Sequence, residues 1–159
     1  MKTLTPLKRT RRLSGLLIAL LACFALSQRA QAVTPAPDGG YPGGNTAEGD
    51  LALGSLATGI YNNAVGIYSL LSLTTGSFNT ADGAGALLSN TADENTATGA
   101  GALLSNTTGG FNTANGAFAL FNSTAGFNTA IGDRTLFSNT TGDSNVAVGI
   151  GGPGWSRTF

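Results

Sequence analysis

The sequence predicts an all-β fold of one kind, a parallel β-solenoid, and three observations carry that prediction. The pentapeptide Asn-x-Ala-x-Gly occurs seven times, beginning at Asn45, Asn62, Asn79, Asn95, Asn112, Asn128 and Asn145. Successive copies are 17, 17, 16, 17, 16 and 17 residues apart. A leucine recurs at one fixed offset in each of the six complete repeats. A period this short cannot hold a helical hairpin, but it suits one coil of a solenoid. Such a coil cannot bury its apolar face alone, so stacked neighbours must supply the core.

The chain divides into four parts. Residues 1–32 read as an export signal with a helical apolar centre. Lys2, Lys8, Arg9, Arg11 and Arg12 form a basic start, Leu13 to Leu26 an apolar run, and Ala30-Gln31-Ala32 a small-x-small cleavage site. Two other readings attach to this segment. Leu20-Leu21-Ala22-Cys23 resembles a lipobox, which would make Cys23 a lipidated N-terminus, although Phe24, Ala25 and Leu26 prolong the apolar run beyond it. Arg11-Arg12 resembles a twin-arginine signal, but Ser14 stands where an apolar residue is expected.

Residues 33–44 contain Pro35, Pro37, Asp38, Gly39, Gly40, Pro42 and Gly43, a composition that reads as a linker. The repeats fill residues 45–150. Residues 151–159 form an irregular tail holding Trp155 and Arg157, either a cap or the sign of an interrupted gene.

Within the repeats, counting each Asn as position one, three positions are fixed. Position three is Ala47, Ala64, Ala81, Ala97, Ala114, Ala130 and Ala147. Position five is Gly49, Gly66, Gly83, Gly99, Gly116, Gly132 and Gly149. Position nine is Leu53, Leu70, Leu87, Leu103, Leu120 and Leu136. Position four varies freely through Glu48, Val65, Asp82, Thr98, Asn115, Ile131 and Val148. That contrast is the side-chain alternation of a strand, with Ala inward and position four outward or at a subunit boundary. Ala fits where the walls of a narrow coil approach, Leu fills the wider part, and Gly suits a corner with positive φ. The rest of each coil, as in Ser138-Asn139-Thr140-Thr141-Gly142, is a polar turn. A disordered low-complexity chain would not hold the Leu and Ala register. A pentapeptide helix does not accommodate steps of 16 and 17 residues. The Gly-Gly-x-Gly-x-Asp signature of calcium-binding solenoids is missing.

Charge and composition exclude several classes. Six of the eight basic residues precede residue 33, whereas all eight acidic residues follow it. Cleavage after Ala32 would leave a formal charge of −6, with Arg134 and Arg157 as the remaining cations. Such a surface repels nucleic acid and anionic lipid. The chain has no histidine, and its one cysteine lies in the signal, so disulfides are not expected and the commonest metal ligand is lacking. No cofactor is expected.

Asn128-Thr-Ala-Ile-Gly132 and Asn145-Val-Ala-Val-Gly149 resemble the repeats of trimeric autotransporter adhesin heads of the YadA-like type. The longer unit beginning at Asn95 is also similar to repeats of tail-fibre-like bacterial surface proteins. The resemblance covers about two-thirds of the chain. It implies a left-handed parallel β-roll of about seven coils, three chains side by side, and adhesion to host matrix, cell-surface protein or glycan. It further implies a place outside the cell or on the surface of a Gram-negative-type bacterium. The coil here is two or three residues longer than the family's, in the polar turn. No stalk or β-barrel anchor follows Gly149 in this sequence, which leaves membrane attachment open and keeps a truncated fragment of a longer surface protein as an alternative.

Candidate chemistry is sparse. Glu48/Asp50 and Asp93/Glu94 are acidic pairs without a recurring base or nucleophile beside them. Gly83-Ala-Gly85 and Gly99-Ala-Gly101 lack the helix and lysine of a phosphate loop. Glycosylation sequons at Asn106, Asn122 and Asn139 arise from the repeat itself. Tyr61, Phe78, Phe111 and Phe127 precede the Asn in four coils as a partial aromatic ladder, for packing between chains or for binding. Thr74, Thr91, Thr107, Thr124 and Thr140 form a second ladder, which offers ice binding as an alternative to adhesion. The expected function is therefore non-enzymatic: an exported adhesin-like or structural β-roll.

Overall fold

The structure is a computed structural model that describes residues 41–151. The signal segment, linker residues 33–40 and tail residues 152–159 lie outside the described residues. Among the described residues there are seven strands: β1 (Thr46–Glu48), β2 (Asn63–Val65), β3 (Thr80–Asp82), β4 (Thr96–Thr98), β5 (Thr113–Asn115), β6 (Thr129–Ile131) and β7 (Val146–Val148). They form one sheet in chain order, and each neighbour pair is parallel. Parallel strands adjacent both in sequence and in space require a full circuit of the chain between them, which makes the fold a β-solenoid. No helix occurs among the described residues.

The register follows the motif at every step, from Ala47 beside Ala64 to Ala130 beside Ala147, despite the unequal coil lengths. Each strand buries its central Ala and exposes position four, as the alternation requires. The strand stops at the position-five glycine, where φ lies between 120° and 147°. A Cβ added to Gly83 would stand 2.6 Å from the carbonyl carbon of Gly99 in the next coil. Glycine is demanded twice there, by conformation and by contact.

The leucines solve a conflict that composition does not reveal. Leu53, Leu70, Leu87, Leu103, Leu120 and Leu136 all adopt left-handed backbone, with φ from 50° to 53°. That conformation costs an L-residue about 1–2 kcal/mol. Burying a leucine side chain returns about 1.5–3 kcal/mol, and the central four of these are fully buried. Glycine would relieve the strain but forfeit the burial, which outweighs it. Position seven is left-handed as well, at Leu51, Tyr68, Gly85, Gly101, Phe118 and Arg134. The two bends flank position eight and turn Ala86, Ala102 and Ala119 into the core.

Position one closes each coil. Asn45, Asn62, Asn79, Asn95, Asn112 and Asn128 are buried, although asparagine ordinarily favours the surface. Asn62 shows why. Its Oδ1 accepts the backbone N–H of Asn79 at 2.9 Å, while its Nδ2 donates to Gly76 O at 2.9 Å and to Asn45 Oδ1 at 3.1 Å. One side chain thus clamps its own turn and docks the following coil. Ahead of the first coil, Asn45 Nδ2 donates to Pro42 O, and Tyr41 N–H donates to Asn45 O at 3.2 Å, so Tyr41 to Gly44 fold back onto the solenoid.

Candidate functional site

The outward face of the sheet carries two columns. Position two is Thr46, Asn63, Thr80, Thr96, Thr113, Thr129 and Val146, exposed or half-buried, and position four, exposed in every strand, mixes acids with Val65, Ile131 and Val148. Parallel strands set such columns at a repeat of about 4.8 Å. This face offers an array and no enclosed site.

The two glycine loops are corners. The N–H groups of Gly83 and Gly85 donate to Val65 O and Ile67 O, and those of Gly99 and Gly101 to Asp82 O and Ala84 O. They are committed to the neighbouring coil. The acidic pairs Glu48/Asp50 and Asp93/Glu94 are solvent-exposed. Among the described residues, no three or more Asp, Glu, His or Cys gather to hold a metal ion. Asn106, the first sequon, is fully buried, and its Nδ2 donates to Asn90 Oδ1 and Gly109 O.

The two ladders lie on the turn side. Tyr61 stacks on Phe78 with ring centroids 5.4 Å apart, and Phe111 on Phe127 at 4.9 Å with planes 3° apart. Glu94 occupies the intervening ladder place, so the column is two separate pairs. All four rings are half-exposed or more. The threonine ladder is exposed throughout, and two of its hydroxyls are spent on the backbone: Thr91 Oγ1 donates to Thr107 O at 2.6 Å and Thr124 Oγ1 to Thr140 O at 3.0 Å.

Between the ladders, at the second aromatic pair, the surface opens into a groove of about 540 Å³. Thr91, Thr108 and Thr124 line it together with Phe111 and Phe127, and Gly109, Gly110 and Gly126 lie between them. Asp93 also reaches it. Its origin is a matter of side-chain size. The place that Ile60 and Ser77 fill in the first two coils is taken by Asp93, Gly110 and Gly126 in the next three, a register set by the bonds from Glu94 N–H to Ser77 O, Phe111 N–H to Asp93 O and Phe127 N–H to Gly110 O. The fourth and fifth turns therefore lack a side chain where the first two have one.

The groove floor is held from beneath. Asn95 Nδ2 and Asn106 Nδ2 both donate to Gly109 O, at 2.9 and 2.7 Å, and Gly109 N–H donates to Asn106 Oδ1 at 3.1 Å. Asn90 ties Asn79, Asn95 and Asn106 into one buried network. Neither the groove nor this network was expected from the motif. The available signals were Gly110 and Gly126 in place of Ile60 and Ser77 and the change from Leu56 and Leu73 to Asn90 and Asn106 at position twelve. A further aromatic group also went unforeseen: Phe121 stacks on Phe137 at 5.0 Å, and the Arg134 guanidinium lies 5.7 Å from the Phe118 ring centre.

Comparison with known protein families, with characterised proteins and with solved structures finds no match to this chain.

Proposed function

We propose that the chain is an exported, non-enzymatic surface protein, adhesin-like or structural, that attaches through the repetitive exterior of its β-roll. The observation that carries this reading is the outward sheet face, where positions two and four repeat in seven registered strands. A repeated surface makes many weak contacts at once, and linking them multiplies affinity without any strong single contact. The assembly in this reading is a homotrimer. Exposed Val65, Ile131 and Val148 on the sheet face and the half-exposed aromatic pairs supply apolar surface for packing between chains.

Immobilised matrix proteins and whole cells, probed with the full repeat array and with versions shortened by one, two and three coils, test the attachment. Binding should fall more steeply than in proportion to coil number. Undiminished binding by the shortest version overturns the avidity reading. Light scattering tests the assembly: a trimeric mass at micromolar concentration supports it, and a folded monomer refutes it.

One observation favours a second reading, ice binding, since five threonines stack in exposed register from Thr74 to Thr140. Thermal hysteresis in dilute solution would establish it. Its absence, with ice crystals growing unshaped, would dismiss it.

A further inference from the structure

We infer that the groove spanning the turns of the third, fourth and fifth coils is a discrete binding site for a neutral oligosaccharide. This inference stands apart from attachment by the repetitive face, because a soluble sugar would occupy the groove whether or not the array adheres to anything.

The volume of about 540 Å³ falls in the range of small-molecule sites. Its walls differ in chemistry. Phe111 and Phe127 form an apolar wall of two parallel rings that remain 50% and 61% exposed. The opposite side carries three hydroxyls whose protons are already engaged. Thr91 donates to Thr107 O, Thr108 to Thr124 O at 3.4 Å, and Thr124 to Thr140 O. A hydroxyl that has given its proton to a carbonyl offers lone pairs outward. Asp93 adds a carboxylate at one end, fixed where its Oδ1 accepts the Ser77 N–H at 2.7 Å. No lining side chain is a lysine, arginine, asparagine or glutamine.

A ligand that suits this wall brings its own donors and one apolar face, and it carries no negative charge. A neutral sugar has that character, with hydroxyl donors at its rim and C–H groups on the ring face for the phenylalanines. Anionic sugars are disfavoured by Asp93 and by the neighbouring Glu94, neither of which is neutralised by an ion pair; among the described residues the one ion pair joins Arg134 to Asp133. The floor is preorganised, since two buried asparagines pin Gly109, so little order must be gained on binding.

The first aromatic pair supplies the internal control. Tyr61 and Phe78 stack in the same ladder, but Ile60 and Ser77 occupy the place that is left open beside Phe111 and Phe127. Exposed rings alone therefore do not define the site.

The test uses the full chain and a panel of soluble neutral oligosaccharides (cellohexaose, maltohexaose and laminarihexaose), with oligogalacturonate as the anionic counterpart. Saturation-transfer NMR detects contact and titration calorimetry gives affinity. At least one neutral sugar should bind and oligogalacturonate should not. Phe111→Ala with Phe127→Ala should weaken binding about tenfold, while Tyr61→Ala with Phe78→Ala should leave it unchanged. Gly110→Ile, which gives the place beside Phe111 the side chain that Ile60 carries beside Tyr61, should abolish binding with both rings untouched. Circular dichroism checks that each variant keeps the wild-type fold. Failure of every neutral sugar to bind, preference for the anionic one, or equal loss from both aromatic pairs overturns the inference. Sugar binding with no attachment to matrix or cells would leave it standing and refute only the adhesive reading.

Discussion

The first two coils and the next three share one backbone plan and fill it differently. In the first two, position twelve is Leu56 and Leu73, and the turn is full length, closed by Ile60 and Ser77. In the next three, position twelve is Asn90, Asn106 and Ser123, and two of the three turns are a residue short. The strand half does not notice, since Ala pairs with Ala across all seven strands. The turn half absorbs the change, because turn backbone is free to shorten where it faces water. The fold is specified by four positions per coil, one, three, five and nine, and much of the remainder is free to vary an exterior.

The largest effect should come from breaking what the two regions share. Leu103→Asp buries a carboxylate in a fully enclosed site and should cost several kcal/mol in denaturant unfolding. Thr98→Asp, on the exposed place that Asp82 already occupies one coil earlier, should change stability by less than about 0.5 kcal/mol. Equal damage from both would mean the faces of the strand are misassigned.

The next effect compares the asparagine clamps. Asn62→Ala orphans the N–H of Asn79 and the carbonyl of Gly76. Asn95→Ala orphans the N–H of Asn112 and removes one donor from Asn90 Oδ1. Buried groups left unpaired cost about 1–3 kcal/mol each, so both should destabilise by a few kcal/mol. Asn62→Ala should be the worse of the two, because it leaves two groups unpaired, whereas after Asn95→Ala both Asn90 Oδ1 and Gly109 O keep Asn106 Nδ2 as donor. Matched unfolding curves at both positions decide it, and a harmless Asn95→Ala would show that the network contributes nothing to stability.

A smaller effect should follow from converting one region into the other. Asn90→Leu makes the third coil resemble the first two but removes the Oδ1 that accepts from Asn95, from Asn106 and from the Ala92 N–H. Both side-chain donors keep Gly109 O as partner and only the long Ala92 bond is left unreplaced, so the cost should be about 1 kcal/mol. Combining it with Asn106→Leu should be less than additive, because the two residues share a bond. The smallest change is expected at Ser123, whose buried hydroxyl has no hydrogen-bond partner. Ser123→Ala should be neutral or stabilising by up to about 1 kcal/mol, since it removes an unsatisfied polar atom. Thermal unfolding of that single variant is sufficient to test it.

Much of this was legible from residue order, and the limits have physical causes. The period, the inward Ala and the outward position four follow from strand alternation, which depends on residue spacing alone. The glycine corner was legible because few residues tolerate positive φ. The left-handed leucines were not, since local preference argues against them and only burial in the stacked coil reverses the balance. The buried Asn column was visible as an invariant letter, but asparagine's usual place on surfaces hides its direction. The groove depends on Gly110 and Gly126 standing where earlier coils have Ile60 and Ser77, and in a repeat so rich in glycine two more give no signal of their own. The sites set aside on sequence, the acidic pairs and the glycine loops, are exposed side chains and committed corner amides.

The asparagine column has a kinetic consequence. Each Asn N–H reaches the side chain of the Asn one coil earlier, 16 or 17 residues back, at every step from Asn62 to Asn145. No pairing in that column asks the chain to close a longer loop, however many coils are stacked. Loop-closure entropy, which slows folding when partners are far apart in sequence, is therefore the same for the last coil as for the first. Folding should proceed as a zipper from whichever coil pair forms first. Lengthening the array should leave the folding rate nearly constant while unfolding slows with each added coil.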